Sequence, residues 1–267
     1  MRVQDKIFVV TGAGSGLGRQ LTLELTGRGA KVAALDFREA PLLETKHLAG
    51  IHVETFLVDV TNSLDVAALP TKVMEKFGKI DGIINNAGII QPFVKVNDLK
   101  LEDAMHVMSV NFIGPLMMIK AFLPHLLKIS EAHIVNVSSM GAYTPVPGQS
   151  VYGASKAALK SLTEGLTSDL KGTRIGVTLV LAGAMNTNIA TNSGINLNVD
   201  TSASRIRMTD SAVAAKKIVD AIESGRERLY IGPDARMMDL LTRVSPKLSA
   251  TLIYRQMRQL LSRSIDN

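Results

Sequence analysis

The chain has 267 residues, of which 46% are hydrophobic and 20% charged, an ordinary composition for a soluble globular protein. It contains no cysteine, which excludes disulfides, thiolate catalysis and cysteine–zinc sites, and we expect no bound metal. Its net charge of +6 favours anionic cofactors, substrates or lipid head groups, but no recognition motif for nucleic acid accompanies it, so we expect no nucleic-acid partner.

Neither a signal peptide nor a membrane-spanning segment is expected. The apolar run Ile7–Val10 is short and enters a glycine-rich turn without a small-residue cleavage pattern. We find no stretch that reaches the roughly 20 apolar residues of a membrane-spanning helix, and the longest candidate, residues 175–185, fits a buried strand and a turn. Together with the lack of cysteine, these features favour a cytoplasmic location.

Short apolar runs alternate with helical patterns along most of the chain. Their apolar character is nearly continuous, which is typical of parallel strands covered on both faces. The predicted strands are Lys6–Val10, Lys31–Leu35, Val53–Val58, Gly82–Ile84, His133–Val137, Arg174–Val180 and Arg228–Ile231. The predicted helices are Leu17–Arg28, Ser63–Phe77, Leu101–Leu127, Ser150–Leu170, Asp210–Ser224 and the tail Ala235–Leu261. The alternation predicts one α/β domain over residues 1–267, with a doubly wound parallel sheet between two helix layers.

Two segments depart from this alternation. The region Thr187–Thr209 is rich in Asn, Ser and Thr, and we expect it to be a mobile loop over a site. The tail, residues 235–267, is basic and carries an apolar stripe at helical spacing. The stripe consists of Leu248, Leu252, Ile253, Met257, Leu260 and Leu261. We expect it to pack on the domain or on a neighbouring subunit; contact with an anionic membrane surface is the alternative.

The clearest early signal is the segment Thr11–Gly18, which reads TGAGSGLG and joins a predicted strand to a predicted helix. Glycine permits a tight turn and lets a phosphate approach the backbone. The N-terminus of the following helix offers free N–H groups and a partial positive charge to a pyrophosphate. This context indicates a dinucleotide site. The cofactor-binding residues expected here are Gly12, Ser15, Gly16, Leu17 and Gly18.

Asp36 ends the second predicted strand, 18 residues after Gly18. A carboxylate at this position accepts hydrogen bonds from the adenosine ribose and repels the 2′-phosphate of NADP. We therefore favour NAD(H), while the neighbouring Arg38 keeps NADP(H) open. Capping of the next helix is a second role for Asp36, compatible with the first.

Polar residues also follow the third and fourth predicted strands. Asp59 and Val60 follow the third, where the adenine ring is expected, although Asp59 fits a helix cap before Ser63 equally well. The turn Asn85–Gly88 follows the fourth and supplies three expected cofactor contacts, Asn86, Ala87 and Gly88. Ligands of open α/β sheets bind beyond the carboxyl ends of the strands, so the shared placement of these segments strengthens the prediction.

A tyrosine–lysine pair lies on the predicted helix that begins at Ser150. Tyr152 and Lys156 are four residues apart and share one helix face. Lowering the pKa of a phenol from about 10 by about three units requires ~4 kcal/mol. One positive charge at ~4 Å supplies that order of energy at an effective dielectric constant of about 20. The pair suits acid–base catalysis, although such a spacing alone is common on helix surfaces.

These motifs together resemble the classical short-chain dehydrogenase/reductase family. The resemblance covers residues 3–190 and consists of Thr11–Gly18, Asn85–Gly88, Asn111, Ser139, and Tyr152 with Lys156. It implies a Rossmann-type sheet of about seven strands, a nicotinamide cofactor, and a homodimer or homotetramer.

The resemblance also implies a role for each member of a catalytic group. Tyr152 would be the acid–base, and Ser139 would bind the substrate oxygen. Lys156 would hold the nicotinamide ribose and lower the pKa of Tyr152. Asn111 would interrupt its helix and hold a water that connects Lys156 to solvent. Ser138 is the rival of Ser139, but alternation along a strand turns the two to opposite faces.

One departure from the family pattern follows the sixth predicted strand. The family has Pro-Gly-x-x-x-Thr, whereas residues 182–187 read Ala-Gly-Ala-Met-Asn-Thr, so that Ala182 replaces the proline. Because Gly183 and Thr187 remain, we expect Met185 and Thr187 to contact the cofactor.

The sequence thus predicts reversible hydride transfer between NAD(H) and a secondary alcohol or ketone. Two alternatives are a catalytically silent sensor or scaffold protein of the same fold, and an extended-family epimerase or dehydratase, which needs a longer carboxyl-terminal domain. Beside the Thr187–Thr209 loop, the expected pocket residues are Ile90, Met140, Tyr143, Val146 and Gln149. Their apolar or neutral character favours a lipophilic substrate such as a steroid, a retinoid or an acyl compound.

Overall fold

The computed structural model describes residues 1–186, 189–195 and 208–262, with the side chains of residues 186 and 256–262 outside the description. Its centre is a parallel seven-stranded sheet in the order β3-β2-β1-β4-β5-β6-β9. The strands are β1 (Ile7–Thr11), β2 (Lys31–Asp36), β3 (Val53–Leu57), β4 (Gly82–Asn85), β5 (Ala132–Ser139), β6 (Ile175–Ala182), β7 (Met185–Asn186), β8 (Thr209–Asp210) and β9 (Arg228–Ile231). The short β7 and β8 pair separately with each other.

Helices cover both faces of the sheet, so the predicted doubly wound α/β fold is confirmed. They are α1 (Gly16–Gly27), α2 (Glu39–Ala49), α3 (Ser63–Phe77), α4 (Leu101–Met108), α5 (Gly114–Leu126), α6 (Ser150–Asp169), α7 (Ile189–Asn192), α8 (Ser211–Glu223), α9 (Pro233–Val244) and α10 (Pro246–Ser262). The sequence analysis missed α2, which buries only Leu42 and Thr45 and therefore has no continuous apolar stripe.

The core consists of two apolar clusters, one on each side of the sheet. Alternation along β1 places Phe8 and Val10 in the cluster under α1 and α8, and Ile7 and Val9 in the cluster under α3 and α5. Both faces of the strand are buried, which explains why the strands are nearly continuous apolar runs in the sequence. The strand order reverses direction between β1 and β4, and ligands of such sheets bind at this point.

The predicted single helix Leu101–Leu127 is divided. A π-helical segment, Ser109–Ile113, separates α4 from α5 and contains the fully buried Asn111. The interruption that the family resemblance implied at Asn111 is therefore present. Such π segments within helices often mark functional sites.

By length and mean hydropathy alone, the helical run Leu101–Leu126 qualifies as a membrane-spanning segment, contrary to the sequence prediction. The residues of this run that pack in the core include Met118, Ile119 and Phe122. Burial against the sheet accounts for their apolar character, and a core helix passes the same test. The finding is therefore weak support for a membrane span.

The predicted helical tail is also divided, because Ser245 is extended and Pro246 begins a second helix. Its expected apolar stripe does not form one face: Ile253 is buried, whereas Leu248 and Leu252 are exposed. Three further members lie where side chains are not described, namely Met257, Leu260 and Leu261. The predicted loop Thr187–Thr209 is described only in part, and its described portion contains α7.

Candidate active site

A cleft of about 430 Å³ opens along the carboxyl edge of the sheet, at the strand-order reversal. The predicted site residues that line it are Gly12, Ser15, Gly16, Leu17, Asp36, Asp59, Val60, Asn86, Ala87, Gly88, Ser139, Tyr152, Lys156 and Met185. Gly18 and Asn111 are buried next to this lining. Thr187 lies outside the described residues. Most of the predicted cofactor-binding residues and predicted catalytic residues therefore line one cleft.

The glycine-rich turn brings the N-terminus of α1 to the cleft. Gly12 and Gly16 have positive φ angles of 66° and 52°, which favour glycine. A Cβ at Gly18 would lie 2.0 Å from the carbonyl oxygen of Gly12, so only glycine permits this close turn. Ser15 is the N-cap residue of α1, but its side chain makes no capping hydrogen bond. The first N–H groups of this 12-residue helix are thus left for an anionic ligand.

The turn after β4 is tied directly to the end of β1. The Thr11 hydroxyl accepts hydrogen bonds from the backbone N–H groups of Asn86 and Ala87, both at 3.0 Å. The Asn86 amide donates to the carbonyl of Thr11 at 2.9 Å. These bonds hold the glycine-rich turn and the β4 turn together, which fixes the width of the cleft between them.

Asp36 organises the ribose end of the cleft. Its buried carboxylate accepts hydrogen bonds from the backbone N–H groups of Gly14 and Arg38, each at 3.0 Å. The Arg38 guanidinium pairs with it at 3.3 Å. The N-cap residue of α2 is Arg38, so the suggested capping role of Asp36 was wrong. Asp36 instead combines a negative charge in the cleft with support for the glycine-rich turn.

The alternative capping role of Asp59 was also wrong. The N-cap residue of α3 is Asn62, whose side chain accepts hydrogen bonds from Leu64 and Asp65. Asp59 lines the cleft, and its carboxylate accepts hydrogen bonds from the backbone and hydroxyl of Thr61, both at 2.8 Å.

The side chains of Ser139 and Tyr152 lie next to each other, because a Cβ placed on Gly141 would be 3.3 Å from the Tyr152 ring and 3.5 Å from the Ser139 hydroxyl oxygen. The Ser139 hydroxyl accepts a hydrogen bond from the backbone of Gly141 at 3.1 Å. Ser138 is engaged elsewhere, because its hydroxyl donates to the carbonyl of Lys156 at 2.8 Å. The structure thus pairs Ser139, rather than its neighbour, with the tyrosine.

Lys156 is buried below the tyrosine. Its ammonium donates a hydrogen bond to the carbonyl of Val137 at 3.0 Å and lies 6.0 Å from the centre of the Tyr152 ring. Burial lowers the pKa of Lys156 to about 8. Burial also raises the pKa of Tyr152, while its hydrogen bond with Ser139 acts in the opposite direction. The prediction that the pKa of Tyr152 is lowered was therefore wrong in direction, because burial is the largest influence on it.

Asn111 connects the π segment to the segment after β4 and to α6. Its amide donates to the carbonyl of Ile89 at 2.9 Å and to the Ser155 hydroxyl at 3.0 Å, and its oxygen accepts from the Ile89 N–H at 2.9 Å. A Cβ at Gly88 would lie 3.1 Å from the Lys156 ammonium and 3.3 Å from the Asn111 oxygen. Asn111 therefore positions the β4 turn against α6.

Most residues expected around the substrate lie outside the lining of this cleft. Of the five residues named outside the loop, only Ile90 lines the cleft; Met140, Tyr143, Val146 and Gln149 do not. The Tyr143 hydroxyl instead donates to the backbone carbonyl of Ala235 in α9. The buried Gln149 amide donates to the carbonyl of Gln91 at 2.6 Å. The segment after β5 packs against the rest of the chain because its polar groups find partners there.

Gln91, which the sequence analysis missed, is fully buried beside the cleft. Its side-chain oxygen accepts hydrogen bonds from the backbone N–H groups of Val151 and Tyr152 at 2.8 and 3.0 Å. Its amide donates to the carbonyl of Gly148 at 2.9 Å. Gln91 thus provides a hydrogen-bond acceptor for free N–H groups in the first turn of α6 and positions the backbone of Tyr152. No local pattern could have revealed this, because the contact joins residues 60 positions apart.

Helix α7 crosses the cleft. The Asn192 amide donates to the Ser15 hydroxyl at 2.9 Å, and the Asn192 oxygen accepts from Arg38 at 2.7 Å. On the opposite side, the Ser193 hydroxyl accepts from the backbone of Ile90 at 3.0 Å. This described part of the predicted loop therefore does lie over the site.

Comparisons with known proteins agree with this arrangement. A family model described as short chain dehydrogenase matches residues 6–198. The putative oxidoreductase SadH of Mycobacterium tuberculosis is 34% identical over 252 residues, which cover 90% of this chain and 91% of the relative. The family match covers six of the seven strands of the central sheet, from β1 to β6.

Two solved structures also resemble the chain. A short chain dehydrogenase/reductase from Burkholderia phymatum in complex with NAD has a TM-score of 0.78 at 27% identity, covering 91% of this chain and 96% of its own. A short chain dehydrogenase from Burkholderia cenocepacia in complex with NADP has a TM-score of 0.80 at 28% identity, covering 95% of this chain and 99% of its own. Both TM-scores indicate that these proteins share the overall fold of this chain.

Proposed function

Because this chain belongs to the short-chain dehydrogenase family, we propose that it transfers hydride reversibly between a nicotinamide cofactor and a secondary alcohol or ketone. The observation that carries the proposal is that Ser139, Tyr152 and Lys156 line the same cleft as the glycine-rich turn, with the Lys156 ammonium 6.0 Å from the centre of the Tyr152 ring. One side of the cleft offers a dinucleotide site and the other an acid–base group.

The residues present fit such a cofactor. The uncapped N-terminus of α1 suits a pyrophosphate, and the Asp36 carboxylate suits an adenosine ribose. We favour NAD(H) because a 2′-phosphate next to Asp36 would bring two negative charges together. Arg38 offsets part of that repulsion, and the similar solved structures include complexes with both NAD and NADP. NADP(H) is therefore the second candidate.

A bound nicotinamide supplies hydride to a carbonyl carbon or accepts it from an alcohol. In the reductive direction Tyr152 donates its phenolic proton to the substrate oxygen, and in the oxidative direction it removes that proton. The Ser139 hydroxyl, which accepts from the backbone of Gly141, keeps its own proton to donate a second hydrogen bond to the same substrate oxygen. The positive charge of Lys156 stabilises the phenolate that forms when the proton leaves.

The substrate class that we propose is lipophilic. Apolar residues line the same cleft as Tyr152, and they include Ile89, Ile90, Pro92 and Ile189. Such a surface gains free energy by covering apolar groups of an alcohol or ketone. Steroid-like, retinoid-like and acyl-like compounds share this chemistry. We further propose a homodimer or homotetramer, as the family resemblance implies, and a cytoplasmic location, as the lack of cysteine favours.

The direct test is a screen of secondary alcohols and ketones with the purified chain, followed by the absorbance of NADH and of NADPH. We expect turnover of lipophilic members, with NADH or NAD preferred. Tight NADH binding without turnover across the whole panel would contradict the proposal and favour a sensor or scaffold protein. Turnover of small hydrophilic alcohols alone would overturn the substrate class but not the reaction.

A further inference from the structure

Helices α9 and α10 expose a row of large apolar side chains. On α9 these are Met237, Leu240 and Val244, with exposed fractions of 57%, 65% and 78%, at helical spacings of three and four residues. On α10 they are Leu248 and Leu252, at 57% and 43%. We call these five residues the outer ridge. Several large apolar side chains exposed on two consecutive helices often mark an interaction site.

The outer ridge is bordered by positive charge. Arg236, Lys247 and Arg255 are exposed on the same two helices. The only acidic residues of the sequence between 233 and 262 are Asp234 and Asp239, and both are directed inward. Asp234 accepts a hydrogen bond from the backbone of Ala184 at 2.9 Å, and the buried Asp239 pairs with Arg243 at 3.1 Å.

The opposite sides of the two helices are fixed to the domain. Ala235, Met238 and Ile253 are buried. The hydroxyl groups of Thr144, Thr242 and Ser249 are hydrogen-bonded to one another at 2.7 to 3.0 Å, which joins α9 and α10 to the segment after β5. The outer ridge is therefore held on the outside, because turning it inward would break these contacts.

We propose that α9 and α10 dock on an anionic lipid bilayer, with the outer ridge entering the headgroup region and the bordering cations meeting lipid phosphates. Apolar residues flanked by Lys and Arg on a helix that lies parallel to the surface are the features that favour interfacial binding. The negative potential of an anionic leaflet adds attraction for each basic residue near it. This inference does not depend on the proposed reaction.

A second copy of the chain is a poorer occupant of this surface. A two-fold symmetric pairing would place Arg236, Lys247 and Arg255 of one copy against the same patch of the other. These helices carry no outward carboxylate among their described side chains to balance that charge. Like charges across an interface are costly, whereas an anionic bilayer complements them.

The test is co-sedimentation of the full chain with vesicles at low salt. One set consists of phosphatidylcholine alone, and the other of equal parts phosphatidylcholine and phosphatidylglycerol. We expect binding to the anionic vesicles, little binding to the neutral ones, and release as salt screens the charges. Absence of binding to the anionic vesicles, or equal binding to both sets, would overturn the proposal.

Paired variants assign the binding to this surface. Leu240→Ser with Val244→Ser should weaken binding by about tenfold or more, because both side chains leave the membrane-facing surface. Arg236→Gln with Lys247→Gln should weaken it by about 25-fold, at about fivefold per cation. The matched controls are Ile51→Ser and Lys72→Gln, which change exposed residues far from these helices in sequence and should bind as the unaltered chain does.

Sedimentation velocity distinguishes membrane docking from self-association through the outer ridge. If Leu240→Ser with Val244→Ser dissociates an oligomer, the outer ridge is an interface between copies and the proposal is wrong. Turnover of a water-soluble substrate should be unchanged in all these variants, so failure of membrane binding and failure of the proposed reaction are distinguishable.

Discussion

Gln91 shows how a single side chain outside the catalytic group can control it. Gln91→Leu removes the oxygen that accepts two hydrogen bonds from the first turn of α6. It also removes the amide that donates one hydrogen bond to the loop before that helix. We expect kcat to fall about tenfold to a hundredfold, since a small displacement of a reacting group has an effect of this size. The dissociation constant of NADH should change little.

Steady-state kinetics and NADH fluorescence titration together check this prediction. Gln91→Glu is the matched control, because its carboxylate still accepts from Val151 and Tyr152 and loses only the bond to Gly148. It should retain more of kcat than Gln91→Leu does. An unchanged kcat in Gln91→Leu would show that the residue does not position the tyrosine.

Arg38 is a second single residue with a testable effect, here on the proposed preference for NAD(H) over NADP(H). We expect the unaltered chain to bind NADH more tightly than NADPH, because Asp36 opposes the 2′-phosphate. Arg38→Gln should weaken NADPH binding about fivefold more than NADH binding, since it removes the cation nearest to Asp36. Arg38→Lys, which keeps the charge, is the control.

Calorimetric titrations of both cofactors measure this ratio. Tighter binding of NADPH than of NADH by the unaltered chain would contradict the preference. An identical effect of Arg38→Gln on both cofactors would instead show that Arg38 serves only to hold Asn192 and Ser15.

The residues of the candidate site were predictable where one strand end or one helix face defines them. Tyr152 and Lys156 share a helix face, and Asp36 terminates a strand, so local spacing suggested them and their combination with the other family motifs made the prediction specific. Gln91 and the partners of Tyr143 were not predictable, because tertiary contacts alone determine them. The direction of the Tyr152 pKa was also missed, because spacing does not reveal burial, which raises the pKa of this phenol.

At the scale of elements, His133 joins β5 to β6 and to the start of β9. Its Nε2 lies 2.8 Å from the Thr178 hydroxyl, which itself donates to the carbonyl of Arg226 at 2.7 Å. The hydroxyl proton is thus engaged, so Nε2 of His133 is the donor. Burial lowers the pKa of His133 to about 4, which is below the value of an unfolded histidine.

This link predicts a pH dependence of stability. The folded chain holds fewer protons at His133 than the unfolded chain between about pH 6.5 and pH 4. The contribution of neutral His133 to the free energy of unfolding is therefore fully present above about pH 6.5 and is lost as the pH falls toward 4. At about pH 5 the loss should be of the order of 2 kcal/mol.

Urea unfolding at neutral and acidic pH measures the effect. His133→Gln, which can still donate to Thr178 but does not titrate, should lose less stability on acidification than the unaltered chain. If both chains lose the same free energy of unfolding, other groups cause the acid sensitivity. The comparison of the two chains removes the contribution of the carboxylates that they share.

The divided helix around Asn111 shows what element prediction misses. The apolar pattern continues through residues 101–126, so the sequence predicts one helix. The π segment depends on the bonds of Asn111 to Ile89 and Ser155, which belong to distant parts of the chain. Family resemblance, rather than periodicity, indicated the interruption. The break before α10 is different, because Pro246 marks it locally.

At the scale of the molecule, the sheet was predictable because the central strands β1, β4, β5 and β6 are apolar on both faces and most crossovers have a helical pattern. That pattern requires a parallel sheet between two helix layers, and the carboxyl ends of its strands then share one edge. The outward or inward direction of the tail residues was not predictable. It depends on which face of α9 and α10 the segment after β5 engages.

The central claim is that the phenol of Tyr152 transfers the proton that accompanies hydride transfer. It is tested most directly by following NADH absorbance for Tyr152→Phe beside Tyr143→Phe, a matched loss of a hydroxyl that bonds outside the cleft. We expect Tyr152→Phe to lose turnover by about a thousandfold while it still binds NADH, and Tyr143→Phe to remain active. Turnover by Tyr152→Phe equal to that of the unaltered chain would contradict the account.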